Sequence, residues 1–84
     1  MNEKEKAKAI GLRLKLKRIE LGLSQYDLAE KIGVHNSDIS QYELGHVIRI
    51  PTEVLSKICN VLGLTLEGVD PDRFGSGKPY KGDL

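Results

Sequence analysis

Tryptophan is absent from this chain, and its 84 residues include one cysteine, one phenylalanine and three tyrosines. A lone thiol, Cys59, cannot close an intrachain disulfide. With His35 and His46 as the only histidines there is no Cys/His zinc cluster, and neither a metal nor another cofactor is expected. The length lies near the lower limit at which one core holds without such staples, which leaves room for a single domain. No long apolar run is present: charged residues interrupt every apolar stretch in the first thirty positions. Neither a membrane span nor a signal peptide is expected, and the cytoplasm is the expected location. A catalytic constellation is missing too. Ser24, Ser37 and Ser40 have no His and acid in a triad-like setting, no glycine-rich loop precedes a lysine, and no carboxylate pair flanks an evident cleft, so an enzyme is not expected.

Charge of one sign is also scarce. The formal net charge is +1, whereas a strongly basic domain is the usual footprint of a nucleic-acid binder. The distribution is uneven, however: residues 1–20 carry +4, residues 21–50 carry −2 and residues 51–84 carry −1. Any attraction for phosphate must come largely from the first helix and from backbone N–H groups.

What is present centres on residues 24–45, two short helical patterns on either side of Gly33. Leu28, Ala29 and Ile32 recur at the spacing of one helical face. Ser24 is the expected N-cap, with the Asp27 carboxylate in the first turn. Gly33 follows the last periodic residue and suits the left-handed conformation that stops a helix. Ala29, small and four residues earlier, lets a second helix cross closely. Val34, Ile39 and Tyr42 supply the inward face of that helix, which leaves Asn36, Ser37, Ser40 and Gln41 outside as short polar side chains able to enter a groove.

This stretch resembles the helix-turn-helix DNA-binding domain of the lambdoid phage repressors and Cro, and of the bacterial regulators similar to them. The likeness takes in Ile10-Gly11, Arg13, the run from Lys17 to Gln25, Leu28-Ala29, Gly33-Val34, Ile39, Glu43 and Gly45. It resumes at Leu55, Ile58, Leu62-Gly63-Leu64 and Leu66. The resemblance implies an all-α, compact five-helix bundle with a central helix-turn-helix. The expected organisation is a charged lead-in over 1–9, the DNA-binding domain over 10–69 and a flexible tail over 70–84.

In chain order, the charged, helix-compatible residues 1–9 should form a frayed lead-in to a first helix that runs to about Leu21 and closes at Gly22. Ile10, Leu14 and Leu21 make its core face. Leu12, Leu16, Ile19 and Leu23 form a second apolar line, either an extension of the core or an interaction surface. Thr52 is the expected N-cap of a helix whose buried stripe is Leu55, Ile58, Cys59 and Leu62 and whose stop is Gly63; Cys59 reads as a small core residue. Thr65 should cap a last turn over Leu66–Val69. In the loop after Gly45, the apolar Leu44, Val47, Ile48 and Ile50 either fold inward or, exposed together, make a patch for self-association. Phe74 and Tyr80 are candidates to anchor the tail on the second apolar line.

The resemblance also implies roles for single residues. Arg18 and Glu43 match the family's ion pair between first and third helices. Gln25 matches a glutamine that holds a phosphate, and Ser24, Ser40, His46 and Arg49 are further candidates for phosphate contact. Asn36, Ser37 and Gln41 match positions that reach base edges; Asn and Gln can pair in bidentate fashion with adenine. Asp38 is a departure, a helix cap, an acceptor from cytosine, or a sign that DNA is not the ligand. The helix at about 36–44 has no Arg or Lys to read guanine. One recognition helix per chain implies a homodimer on a near-palindromic double-stranded operator. The expected function is a sequence-specific transcriptional regulator, a repressor before an activator. The alternative is a protein-interaction module on the same fold, antitoxin-like or partner-binding, with an apolar surface for its partner.

Overall fold

The computed structural model describes residues 2–75, and within them every regular element is helical. The order is α1 (Glu3–Glu20), α2 (Gln25–Ile32), α3 (Asn36–Leu44), α4 (Thr52–Leu62), α5 (Leu66–Val69) and α6 (Pro71–Phe74). This is the expected all-α bundle with one helix more than the sequence suggested.

The first departure is at the start. The lead-in is not frayed but a capped helix start: α1 begins at Glu3, where Asn2 and Glu5 make a reciprocal capping box in which the Glu5 N–H donates to Asn2 Oδ1 over 2.8 Å and the Asn2 N–H donates to Glu5 Oε1 over 3.2 Å. The added turns bury Ala7. Core contact along α1 then comes from Ala7, Gly11, Leu14 and Arg18, with Ile10 partly covered, while Leu21 turns out into solvent as the C-cap.

Leu14 meets Leu28, Ala29 and Ile32 of α2, Ile39 of α3, Ile50, the α4 stripe of Leu55, Ile58, Cys59 and Leu62, and Val69 in one continuous core. Full burial of a leucine or isoleucine contributes about 1.5–3 kcal/mol. Cys59 fills space there as a free thiol, and burial pushes its pKa up, which keeps it protonated and unreactive.

The α1–α3 crossing depends on Gly11. A Cβ at that position would lie 2.5 Å from the Glu43 carbonyl oxygen and closer still to that of Tyr42, so only glycine allows the two backbones to touch.

The last departure is at the far end. Residues 71–74, expected within a tail, form α6 on an Asp70 cap whose Oδ1 accepts from the Arg73 N–H over 3.2 Å. Phe74 packs against the main core rather than on the second line of α1. Tyr80 lies outside the described residues. Arg73 donates to Ile50 O and to Thr52 Oγ1, each over 2.6 Å, and Lys6 pairs with Asp72 at 2.8 Å. α6 thereby ties the α3–α4 loop to the start of α1. Thr52 is consequently not a cap: the N-cap of α4 is Pro51, without a side-chain bond.

Leu12, Leu16 and Ile19 extend nothing in the core. They stand 51%, 57% and 54% exposed, on the side of α1 away from Leu14. Leu23, the last of that line, is partly buried against the core. The apolar loop divides: Val47 and Ile50 turn in, Leu44 and Ile48 turn out.

Candidate nucleic-acid interface

Ser24 starts the interface by starting α2. Its Oγ accepts from the Asp27 N–H and its N–H donates to Asp27 Oδ2, both over 2.9 Å. These bonds, backbone first and hydroxyl second, hold the Asp27 carboxyl below its ordinary pKa. α2 ends at Gly33, whose φ of 79° lies in the left-handed region and whose N–H donates to Ala29 O over 2.9 Å. The chain then turns sharply into α3.

A buried polar triangle fixes α2 and α3 against α1. Arg18 and Glu43 are 8% and 7% exposed. Arg18 Nε donates to Glu43 Oε2 over 2.6 Å and Nη2 to Oε1 over 3.0 Å, while Nη1 donates to Leu23 O over 2.7 Å. The fork on Glu43 holds the Arg18 pKa above its ordinary value. Gln25 joins them: its Nε2 donates to Glu43 Oε1 over 3.0 Å. The amide expected to face a phosphate is thus anchored inward, with one N–H left beyond that bond.

The N-cap of α3 is His35, not Asp38. His35 Nδ1 accepts from the Ser37 N–H over 3.2 Å and lies 2.8 Å from Ser37 Oγ. Asp38 sits in the first turn, where a negative charge is favourable to the helix dipole. Together with burial, the dominant cause, it raises the Tyr42 pKa. Asn36, Ser37 and Gln41 are exposed, Ser40 is half-buried, and at 100° per residue the four share one face of α3. After the Gly45 cap, His46 Nδ1 lies 2.8 Å from Gln41 Oε1. Arg49 is exposed on the loop beyond.

Two further residues belong to this surface. Leu44, 52% exposed, lies in line with Asn36 and Ser40 at four-residue steps, a pattern legible in the sequence. Tyr26 is 62% exposed and lines an open groove of about 270 Å³ with Ala29, Glu30, Val34, His35 and Asn36. The periodicity that puts Leu28, Ala29 and Ile32 on the inner face turns Tyr26 away from it, so its exposure was legible in the sequence. No group of three or more His, Cys, Asp or Glu among the described residues is placed to hold a metal ion. No described helix is long and apolar enough to cross a membrane.

The model of the helix-turn-helix family matches residues 14–69. Two solved structures of the clp gene regulator ClgR from Corynebacterium glutamicum are similar, each 28% identical in sequence. One superposes with a TM-score of 0.71 over 84% of this chain and 90% of its own length. The other has a TM-score of 0.70 over 76% and 67%.

Proposed function

Because the chain belongs to the helix-turn-helix family, we propose that it is a sequence-specific double-stranded DNA-binding transcriptional regulator, acting as a repressor in the cytoplasm. The observation that carries this reading is the polar face of α3, where Asn36, Ser37 and Gln41 stand exposed beside the capped start of α2. In it, α3 enters the major groove and those three side chains meet base edges, with Leu44 against a thymine methyl. Phosphates are met by the remaining Gln25 N–H, by Ser24, Ser40, His46 and Arg49, and by backbone N–H groups of α2. A homodimer places two copies of α3 about 34–36 Å apart on a near-palindromic operator. The similarity to ClgR supports a regulator and leaves the sign of regulation to this reading.

A second reading has its own observation. The exposed line of Leu12, Leu16 and Ile19 suits a protein partner, and the face of α3 carries Asp38 and no cation. Selection from a pool of random duplexes at two salt concentrations separates the two. Enrichment of a near-palindrome, weakened by salt and lost in Gln41→Ala, is the expected result. No enrichment at low salt removes the DNA reading, since only DNA gives the counterion-release slope.

A further inference from the structure

We infer that His35 and His46, one at each end of α3, are positioning residues that set the hydrogen-bond polarity with which Ser37 and Gln41 meet a base edge. This rests on the reading of α3 as the helix that enters the groove.

The chemistry of each pair leaves one arrangement. An amide oxygen only accepts, so at 2.8 Å from Gln41 Oε1 the His46 Nδ1 carries the proton and donates. That bond holds the carbonyl end of Gln41 back toward the loop and turns its NH₂ group outward as a donor. At the other end the Ser37 backbone N–H must donate, so His35 Nδ1 carries a lone pair. The Ser37 hydroxyl, 2.8 Å from the same nitrogen, gives its proton to it and keeps its oxygen lone pairs for a ligand. His46 therefore carries a proton on the ring nitrogen where His35 carries a lone pair. α3 presents an acceptor near its start and a donor near its end.

A base edge that fits must be the reverse. Ser37 accepts from an exocyclic amine, cytosine N4 or adenine N6, and Gln41 donates to purine N7, guanine O6 or thymine O4. Without His46 the Gln41 amide turns over freely and presents either end. His46 is on this account a determinant of selectivity, beyond any contact of its own with a phosphate.

The test uses the full chain and a pool of random-sequence duplexes. His46→Phe keeps a ring and removes the donor, whereas His46→Asn keeps a donor at the place of Nδ1. The expected result is that His46→Phe loses about tenfold of the preference at the same base pair as Gln41→Ala, and that His46→Asn restores that preference. A uniform loss across all sequences, with the base preference unchanged, would leave His46 a phosphate contact alone and overturn the inference, as would no change at all. In the free protein, nitrogen-15 spectra of the imidazoles should find His46 protonated on Nδ1 and His35 on Nε2; His46 protonated on Nε2 alone overturns the inference even where DNA binds. A pool from which the wild-type chain enriches nothing overturns the DNA reading itself, whatever the tautomers.

Discussion

Arg18 and Glu43, twenty-five residues apart, meet in a two-bond fork at the place where α1 crosses α3. Two charges this deeply covered lose their hydration, and only their mutual fit offsets that cost. Removing one leaves the other stranded. Arg18→Met or Glu43→Met should each destabilise by about 3–5 kcal/mol, and the double variant by less than either single one. Urea unfolding of all four proteins measures this; a double variant that loses the sum of the singles contradicts it.

Gly11 gives a prediction that runs against helix propensity. On an isolated helix Gly→Ala stabilises by about 1 kcal/mol. Here the new methyl group meets the carbonyl oxygens of Tyr42 and Glu43, which are backbone and cannot rotate aside. Gly11→Ala should destabilise by about 1–3 kcal/mol, a fall of roughly 5–20 °C in Tm. A rise in Tm would mean that α1 and α3 do not touch in this way.

The cap of α2 makes a statement about pH. Asp27 titrates below its ordinary value of 3.8 in the fold, held down by the Ser24 N–H and hydroxyl. A carboxyl lowered by folding adds stability that is complete above the unfolded value and is lost as the pH falls through the folded one. Ser24→Ala should cost about 1 kcal/mol at neutral pH and move the Asp27 midpoint back upward. Carboxyl carbon shifts followed through an acid titration test it: the retained Ser24 N–H, the larger cause, keeps the midpoint below its ordinary value, and a midpoint unmoved by the substitution would refute the hydroxyl's share.

These outcomes also separate what was legible in the sequence from what was not. Ser24 with Asp27, the stops at Gly33 and Gly63 and the α4 stripe are local patterns, each decided within a turn or two of chain, and they stand as read. The cap of α3 was not legible, because imidazole is an uncommon cap and Asp38 is a usual one; only the turn after Gly33 brings His35 Nδ1 onto the Ser37 N–H. Thr52 was read as a cap for the same local reason, and the distant Arg73 took its hydroxyl instead. The pairing of Arg18 with Glu43 has no local signature and came from the resemblance alone. For α1 the sequence puts the core face on Ile10, Leu14 and Leu21 but offers no means of choosing whether the second apolar line extends that core or stays outside it. The choice is made in three dimensions, by where α3 and α4 pack. Of the candidate site, the exposed face of α3 was readable from periodicity, whereas the inward turn of Gln25 and the bonds of His35 and His46 depend on neighbours that periodicity does not identify.

The far reach of α1's side chains has a consequence for the protein's birth on the ribosome. Arg13 donates to the carbonyl of Val69, 56 residues further along, and Lys6 waits for Asp72. At about 5–20 residues per second, Arg13 is made on the order of 3–11 s before Val69, and Lys6 about 3–13 s before Asp72. Until α2, α3 and α4 follow, both its apolar lines, the one destined for the core and the one that stays outside, face the same crowded solvent. Each later helix takes up part of the core line and residues 69–74 complete its cover, whereas the outer line of Leu12, Leu16 and Ile19 stays open throughout.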